Sequence, residues 1–127
     1  MQTVIIVDDN HGVTSALSRL IKGAGFDTVG CHNGHEALAA AATAKPIAAV
    51  LDIHLPDING LVLAQKLREQ FGPSIPIIVV SGDTSMETIK SLSHVGATYF
   101  FPKPVNPGAL VEQLKALVGA QPNRAAG

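Results

Sequence analysis

The polar residues that end the chain's apolar runs are of types that suit phosphoryl chemistry. Asp8 and Asp9 follow Thr3–Val7, Asp52 follows residues 47–51, Ser81 follows residues 75–80, and Lys103 comes just after the aromatic run Tyr99, Phe100 and Phe101. If these runs are parallel strands, their carboxyl ends share one edge, the edge at which open α/β sheets bind ligands. Asp52 is the most telling of the five. A carboxylate closing an unbroken apolar run is costly to bury, so the strand end is expected to open into a solvated crevice. Three converging carboxylates repel one another. A hard divalent cation with oxygen ligands resolves this, magnesium first among them. Lys103 adds a point charge and Ser81 a hydroxyl. A nucleophilic carboxylate, a metal, a cation and a hydroxyl together can hold a phosphoryl group. The glycine-rich phosphate loops are absent. Asp8, Asp9 and Asn10 stand where a dinucleotide fingerprint or P-loop would begin, which argues against a nucleotide site.

The elements that must position these groups read as five strand–helix pairs. Residues 47–51 carry no polar alternation, the pattern of a strand covered on both faces. Residues 75–80 repeat that pattern, whereas Asp27–Cys31 is less apolar and belongs at an edge. Val13, Ala16, Leu17, Leu20 and Ile21 recur at helical spacing over residues 11–24, which Gly23 and Gly25 close. Asn33 and Glu36 have capping-box spacing ahead of an Ala-rich helix. Gly60 opens a third helix with Leu61, Leu63, Ala64 and Leu67 inward. Residues 84–95 read as a helix with a weak apolar face of Met86, Ile89, Leu92 and Val95. Asn106 and Pro107 are N-cap and N1 of the last helix. Pro56, Asp57, Ile58, Asn59 and Gly60 are turn chemistry. Strictly alternating units imply parallel strands and right-handed crossovers. The fold class is therefore α/β: an open, doubly wound parallel sheet of five strands with helices on both faces. Residues 1–119 form one domain, and residues 120–127 a tail or linker stub.

Bulk properties exclude several classes. The 127 residues are 46% apolar and 15% charged with a net charge of −1, a globular composition for one domain. The nine basic residues are scattered, which leaves no footprint for nucleic acid or a membrane surface. A single cysteine permits no internal disulfide. No signal-peptide pattern and no bilayer-spanning run is seen, so a cytoplasmic location is expected. Cys31, His32 and His35 lack a fourth zinc ligand.

The chain resembles the receiver domain of two-component response regulators. The resemblance rests on Val7-Asp8-Asp9-Asn10, on Leu51-Asp52-Ile53-His54-Leu55-Pro56-Asp57-Ile58-Asn59-Gly60, on Val80-Ser81-Gly82, and on Gly96-Ala97 followed by Lys103-Pro104. Each motif alone is weak; all four in order, each at a strand end, are specific. The resemblance implies a flavodoxin-like (βα)5 fold, three-layer α/β/α, with the strand order 2-1-3-4-5. It implies that Asp52 accepts phosphate from a phosphohistidine of a sensor histidine kinase or phosphotransfer domain. It implies Mg2+, with Mn2+ as a substitute, held by Asp52, by Asp9 directly, by Asp8 through water and by the backbone carbonyl of His54. Lys103 would contact a phosphoryl oxygen, ahead of a cis bond to Pro104. Ser81 would hydrogen-bond the phosphoryl group and draw its loop inward. Phe100 occupies the switch-aromatic position, and His54 and Asp83 the positions that tune phosphate lifetime. The expected product is a phosphoprotein switch that remodels the face of the fourth helix, last strand and fifth helix. It would be a monomer or a phosphorylation-dependent dimer with slow autophosphatase activity, and not an enzyme in the conventional sense.

Three competing readings stand beside this one. A phosphatase or phosphotransferase with an aspartyl nucleophile would want a second acid close after Asp52 and a cap insertion; position 54 is His and no loop is long enough. A receiver-like interaction module that takes no phosphate would not need Asp9, Asp52 and Lys103 together. The receiver part of a hybrid histidine kinase would have the same residues.

Overall fold

A computed structural model describes residues 2–95 and 99–119. Strands and helices alternate as β1 (Thr3–Val7), α1 (His11–Gly23), β2 (Asp27–Cys31), α2 (Gly34–Ala44), β3 (Ala48–Leu51), α3 (Gly60–Phe71), β4 (Ile77–Ser81), α4 (Met86–Val95), β5 (Tyr99–Pro102) and α5 (Pro107–Gly119). All strands are parallel, in the order β2-β1-β3-β4-β5. This is the expected doubly wound sheet. Among the described residues, no helix is long and apolar enough to cross a membrane. The expected tail, residues 120–127, and the Gly96-Ala97 motif lie outside the described residues.

The apolar strands are double-faced because successive side chains alternate between two cores. Ile5, Val7, Ala49, Leu51, Ile77 and Val79 meet Ala37 and Ala41 of α2, Leu63, Ala64 and Leu67 of α3, and Leu92 of α4. Val4, Ile6, Ala48, Val50, Ile78 and Val80 meet Leu17 and Ile21 of α1 and Leu110, Leu114 and Val118 of α5. Three helices therefore cover one face and two the other. Ile75 is buried but precedes β4; Pro76, which has no N–H to donate, separates it from the ladder.

Two local expectations are corrected. The capping box of α2 is offset: Asn33 Oδ1 accepts from Glu36 N at 2.8 Å, but the Glu36 carboxylate returns to the N–H of His32, one residue before the cap. The weak face of α4 is weaker still. Leu92 is buried, whereas Met86 is 70% exposed and Ile89 is also exposed. The side chain of Val95 lies outside the described residues.

Cys31 closes β2 against the core. Burial first, and the charge of Glu36 second, push its thiol up to about 11. Since the thiolate is the nucleophile, labelling at pH 8 is expected only after unfolding, so the rate should rise sharply with added denaturant. Between the ordinary cysteine value of about 8.5 and about 11, only the unfolded chain ionises. Native stability is thus expected to fall as pH rises through that window. Equal labelling of the folded and unfolded chains would refute this placement.

Candidate functional site

Strand register decides which polar residues meet. Val7 pairs with Leu51, so the next residues, Asp8 and Asp52, emerge side by side at the carboxyl edge. The ladder continues one step past the strands: Asp52 N donates to Val7 O and Asp8 N to Cys31 O, each at 3.0 Å. Ser81 pairs with Pro102, and Lys103 N donates to Ser81 O at 3.0 Å. Lys103 therefore starts one residue past β5 with its side chain free to turn along the edge. Its peptide bond to Pro104 is cis.

The carboxylates of Asp8, Asp9 and Asp52 offer oxygens that all lie within 4.8 Å of one another. Lys103 Nζ donates to Asp8 Oδ2 at 2.7 Å and to Asp52 Oδ2 at 3.0 Å. Asp8 is 3% and Asp52 8% exposed, so these two carboxylates are more enclosed than the expected solvated crevice, while Asp9 at the same edge is exposed. Burial pulls the Lys103 ammonium down, but its hydrogen bonds to Asp8 and Asp52 outweigh this and hold it above its ordinary value. Asp8 is further fixed by Asn10 N, which donates to its Oδ1 at 2.9 Å, and by Thr14 Oγ1, which donates to its backbone carbonyl at 3.0 Å. The cap of α1 is Asn10, whose Oδ1 accepts from Val13 N. Asp8 and Asp9 are therefore not the capping residues.

Asp9 is exposed, and among the described residues its carboxylate makes no hydrogen bond or ion pair. Three carboxylates facing one ammonium leave a net negative, all-oxygen donor set. That set fits a hard divalent cation.

The loops around this centre supply the remaining candidates. Ser81 is buried and its Oγ accepts from Asp83 N at 3.1 Å. His54 N donates to Asp52 Oδ1 at 3.4 Å, while the ring Nε2 of His54 lies 2.8 Å from Asp83 Oδ2. Asp83 also accepts from Thr88 Oγ1 at 2.8 Å and from Ser85 N at 3.0 Å. The Ser85 N–H, His54 and Thr88 together hold the Asp83 carboxyl well below the usual carboxylate range. Phe100 packs toward the α2–α3–α4 core, while Tyr99 and Phe101 lie together with ring centroids 4.9 Å apart. The period-two alternation of a strand predicts this separation.

Two residues were missed from the sequence. Thr88 completes the Asp83 network from the first turn of α4. Asp57, read as turn chemistry, reaches back to α2: its Oδ1 accepts from Gly34 N at 2.8 Å and its Oδ2 from His35 N at 2.9 Å. Neither contact has a local sequence signal, because each joins segments brought together only by packing.

The family description of the response regulator receiver domain matches residues 4–115. The chain belongs to this family. The receiver domain is 30% identical over 115 residues to the DNA-binding response regulator MtrA of Mycobacterium tuberculosis, covering 91% of this chain and 50% of that protein. It is 33% identical over 116 residues to response regulator MprA of Mycobacterium avium, again covering 91% of this chain and 50% of that protein. The receiver domain thus spans about half the length of these relatives. Among solved structures it is similar to chemotaxis response regulator CheY4 of Vibrio cholerae, at 30% identity and a TM-score of 0.83, covering 92% of this chain and 98% of that one. A CheY-like receiver domain protein from Methanospirillum hungatei is 28% identical with a TM-score of 0.87, covering 94% of each chain.

Proposed function

We propose that this receiver domain of a two-component system accepts a phosphoryl group on the Asp52 carboxylate and acts as a phosphorylation-dependent switch. The observation that carries the reading is the convergence of Asp8, Asp9 and Asp52 within 4.8 Å, with Lys103 Nζ 3.0 Å from Asp52 Oδ2. The donor is a phosphohistidine of a sensor kinase or phosphotransfer protein. An Asp52 oxygen bonds to phosphorus as the P–N bond breaks, and the imidazole leaves with a proton. Asp8, Asp9, Asp52 and the backbone carbonyl of His54 would hold Mg2+ or Mn2+, which when bound offsets charge on the phosphoryl oxygens. Lys103 stabilises the same charge from the β5 side. The Ser81 hydroxyl, whose lone pair takes the Asp83 N–H, keeps its proton for a phosphoryl oxygen. Drawing Ser81 inward moves the loop that leads into α4, and Phe100 behind it, which biases the output face. An apolar cavity of about 770 Å³, lined in part by Val13, Ala16, Leu20, Val105 and Pro107, adjoins Lys103 and suits a partner helix.

Acetyl phosphate with Mg2+ is expected to add the mass of one phosphoryl group to the wild-type chain, and none after chelation or in Asp52→Asn. No gain on wild type, or an equal gain on Asp52→Asn, overturns the reading in favour of an interaction module that takes no phosphate. The His54–Asp83 contact joins the loops that follow β3 and β4, beside the Asp52 carboxylate. Asp83→Ala and His54→Ala are therefore expected to shorten the phosphoryl half-life severalfold, and an unchanged half-life in both would remove these residues from that role.

A further inference from the structure

The loop after β3, residues 52–59, is pinned on two sides. On one side the His54 ring meets Asp83. On the other, Asp57 grips the start of α2. Its Oδ1 accepts from Gly34 N and from its neighbour Ile58 N at 2.9 Å, its Oδ2 accepts from His35 N, and the His35 ring Nδ1 also contacts Oδ2.

This grip is not the cap of α2, because Asn33 already serves Glu36 N. It joins two segments 22 and 23 residues apart. The fit is close: a Cβ at Gly34 would lie 2.3 Å from Ile58 Cγ1. Ile58 in turn packs against the α2–α3–α4 core. The loop itself is closed by a bridge between His54 and Asn59 and by Gly60 N donating to Ile53 O at 2.6 Å. Asp57 thus anchors a small closed unit whose first residue is His54.

We infer that Asp57 is a positioning residue, which by clamping this loop to the N-terminus of α2 fixes the backbone at His54 and sets the affinity of the acidic site for a divalent cation. The inference rests on the phosphoacceptor reading, in which the His54 carbonyl is a metal ligand. Releasing Asp57 removes the tie to α2 and leaves the loop held by its own closing bonds and by Asp83, and a His54 carbonyl held less firmly must be re-ordered on binding and holds its cation less tightly.

The test is calorimetric titration of the metal-free chain with MgCl2, together with thermal melts. Asp57→Ala is expected to weaken Mg2+ binding roughly tenfold, the effect of removing a group that orients a ligand. Asp57→Asn keeps an acceptor for Gly34 and Ile58 but opposes the His35 N–H with its amide, and an intermediate loss is expected. It also carries the comparison if the alanine variant does not fold. Ser18→Ala, which removes the remote Ser18–Thr28 hydrogen bond, should lower the melting temperature and leave Mg2+ affinity unchanged. If both Asp57 variants bind Mg2+ as wild type does, Asp57 is only a structural tie and the inference fails alone. A wild-type chain that takes up no Mg2+ overturns the phosphoacceptor reading and this inference with it.

Discussion

Lys103→Ala is expected to slow phosphoryl uptake by roughly 10²- to 10³-fold, the usual consequence of losing a donor aimed at developing negative charge. The same substitution should destabilise the metal-free chain. Removing one partner of a buried pair costs about 3–5 kcal/mol. The Lys103 side chain is 27% exposed, so solvent screens part of this, and about 2 kcal/mol is expected. Urea unfolding at pH 7 in a chelator measures the loss, and saturating Mg2+ should narrow it because the cation replaces the ammonium. Lys103→Arg restores charge without the point geometry of an ammonium, so it should recover stability more fully than uptake. The pH dependence has a definite sign. The native ammonium titrates above its ordinary value, so its contribution is fully present below about 10.4 and is lost only as pH rises beyond that. The gap between wild type and Lys103→Ala should therefore be flat from pH 7 to 9 on this account. Unchanged uptake and an unchanged midpoint would make Lys103 an ordinary solvated lysine.

Gly60→Ala is expected to be the most damaging single methyl addition, at about 3 kcal/mol or more. A Cβ there would lie 2.0 Å from the backbone oxygen of Asp52 and 2.8 Å from Ile53 Cα. Neither is the tip of a flexible side chain. Relief requires moving the end of β3, and with it the Asp52 carboxylate. Gly108→Ala is the matched comparison: it sits in the first turn of α5, where among the described residues the added methyl meets only Asn106 Oδ1 at 3.6 Å. It is expected to be neutral or slightly stabilising, by up to about 1 kcal/mol. Urea midpoints of the two variants decide the matter, and wild-type stability in Gly60→Ala would show that the loop can retreat at little cost.

Much of this architecture was legible because its causes are local. The double-faced runs announced buried parallel strands, and polar residues at their ends announced one functional edge. Asn10 and Asn33 sit where short side chains satisfy helix N–H groups. The offset capping box of α2 aside, what the sequence left open depended on neighbours distant in sequence. Met86 and Ile89 have helical spacing toward a core, but among the α4 residues with described side chains only Leu92 reaches it. Asp52 and Lys103 were legible as groups on one edge, but their direct 3.0 Å contact was not, because 51 residues separate them. Asp57 looked like a turn residue because the N–H groups it serves belong to another helix.

The strand–helix alternation, the polar residues that end four of the five strands and the family are all legible along the chain. Period and punctuation are properties of neighbouring residues, and motif spacing survives without a structure. How those residues meet is settled by the packing of distant segments. Parallel register set Asp8 beside Asp52, and crossing the sheet brought Lys103 between them. Packing of α2 against the loop after β3 let Asp57 grip Gly34 and His35. Such contacts depend on the distance between chain segments after folding, a quantity that no local pattern encodes.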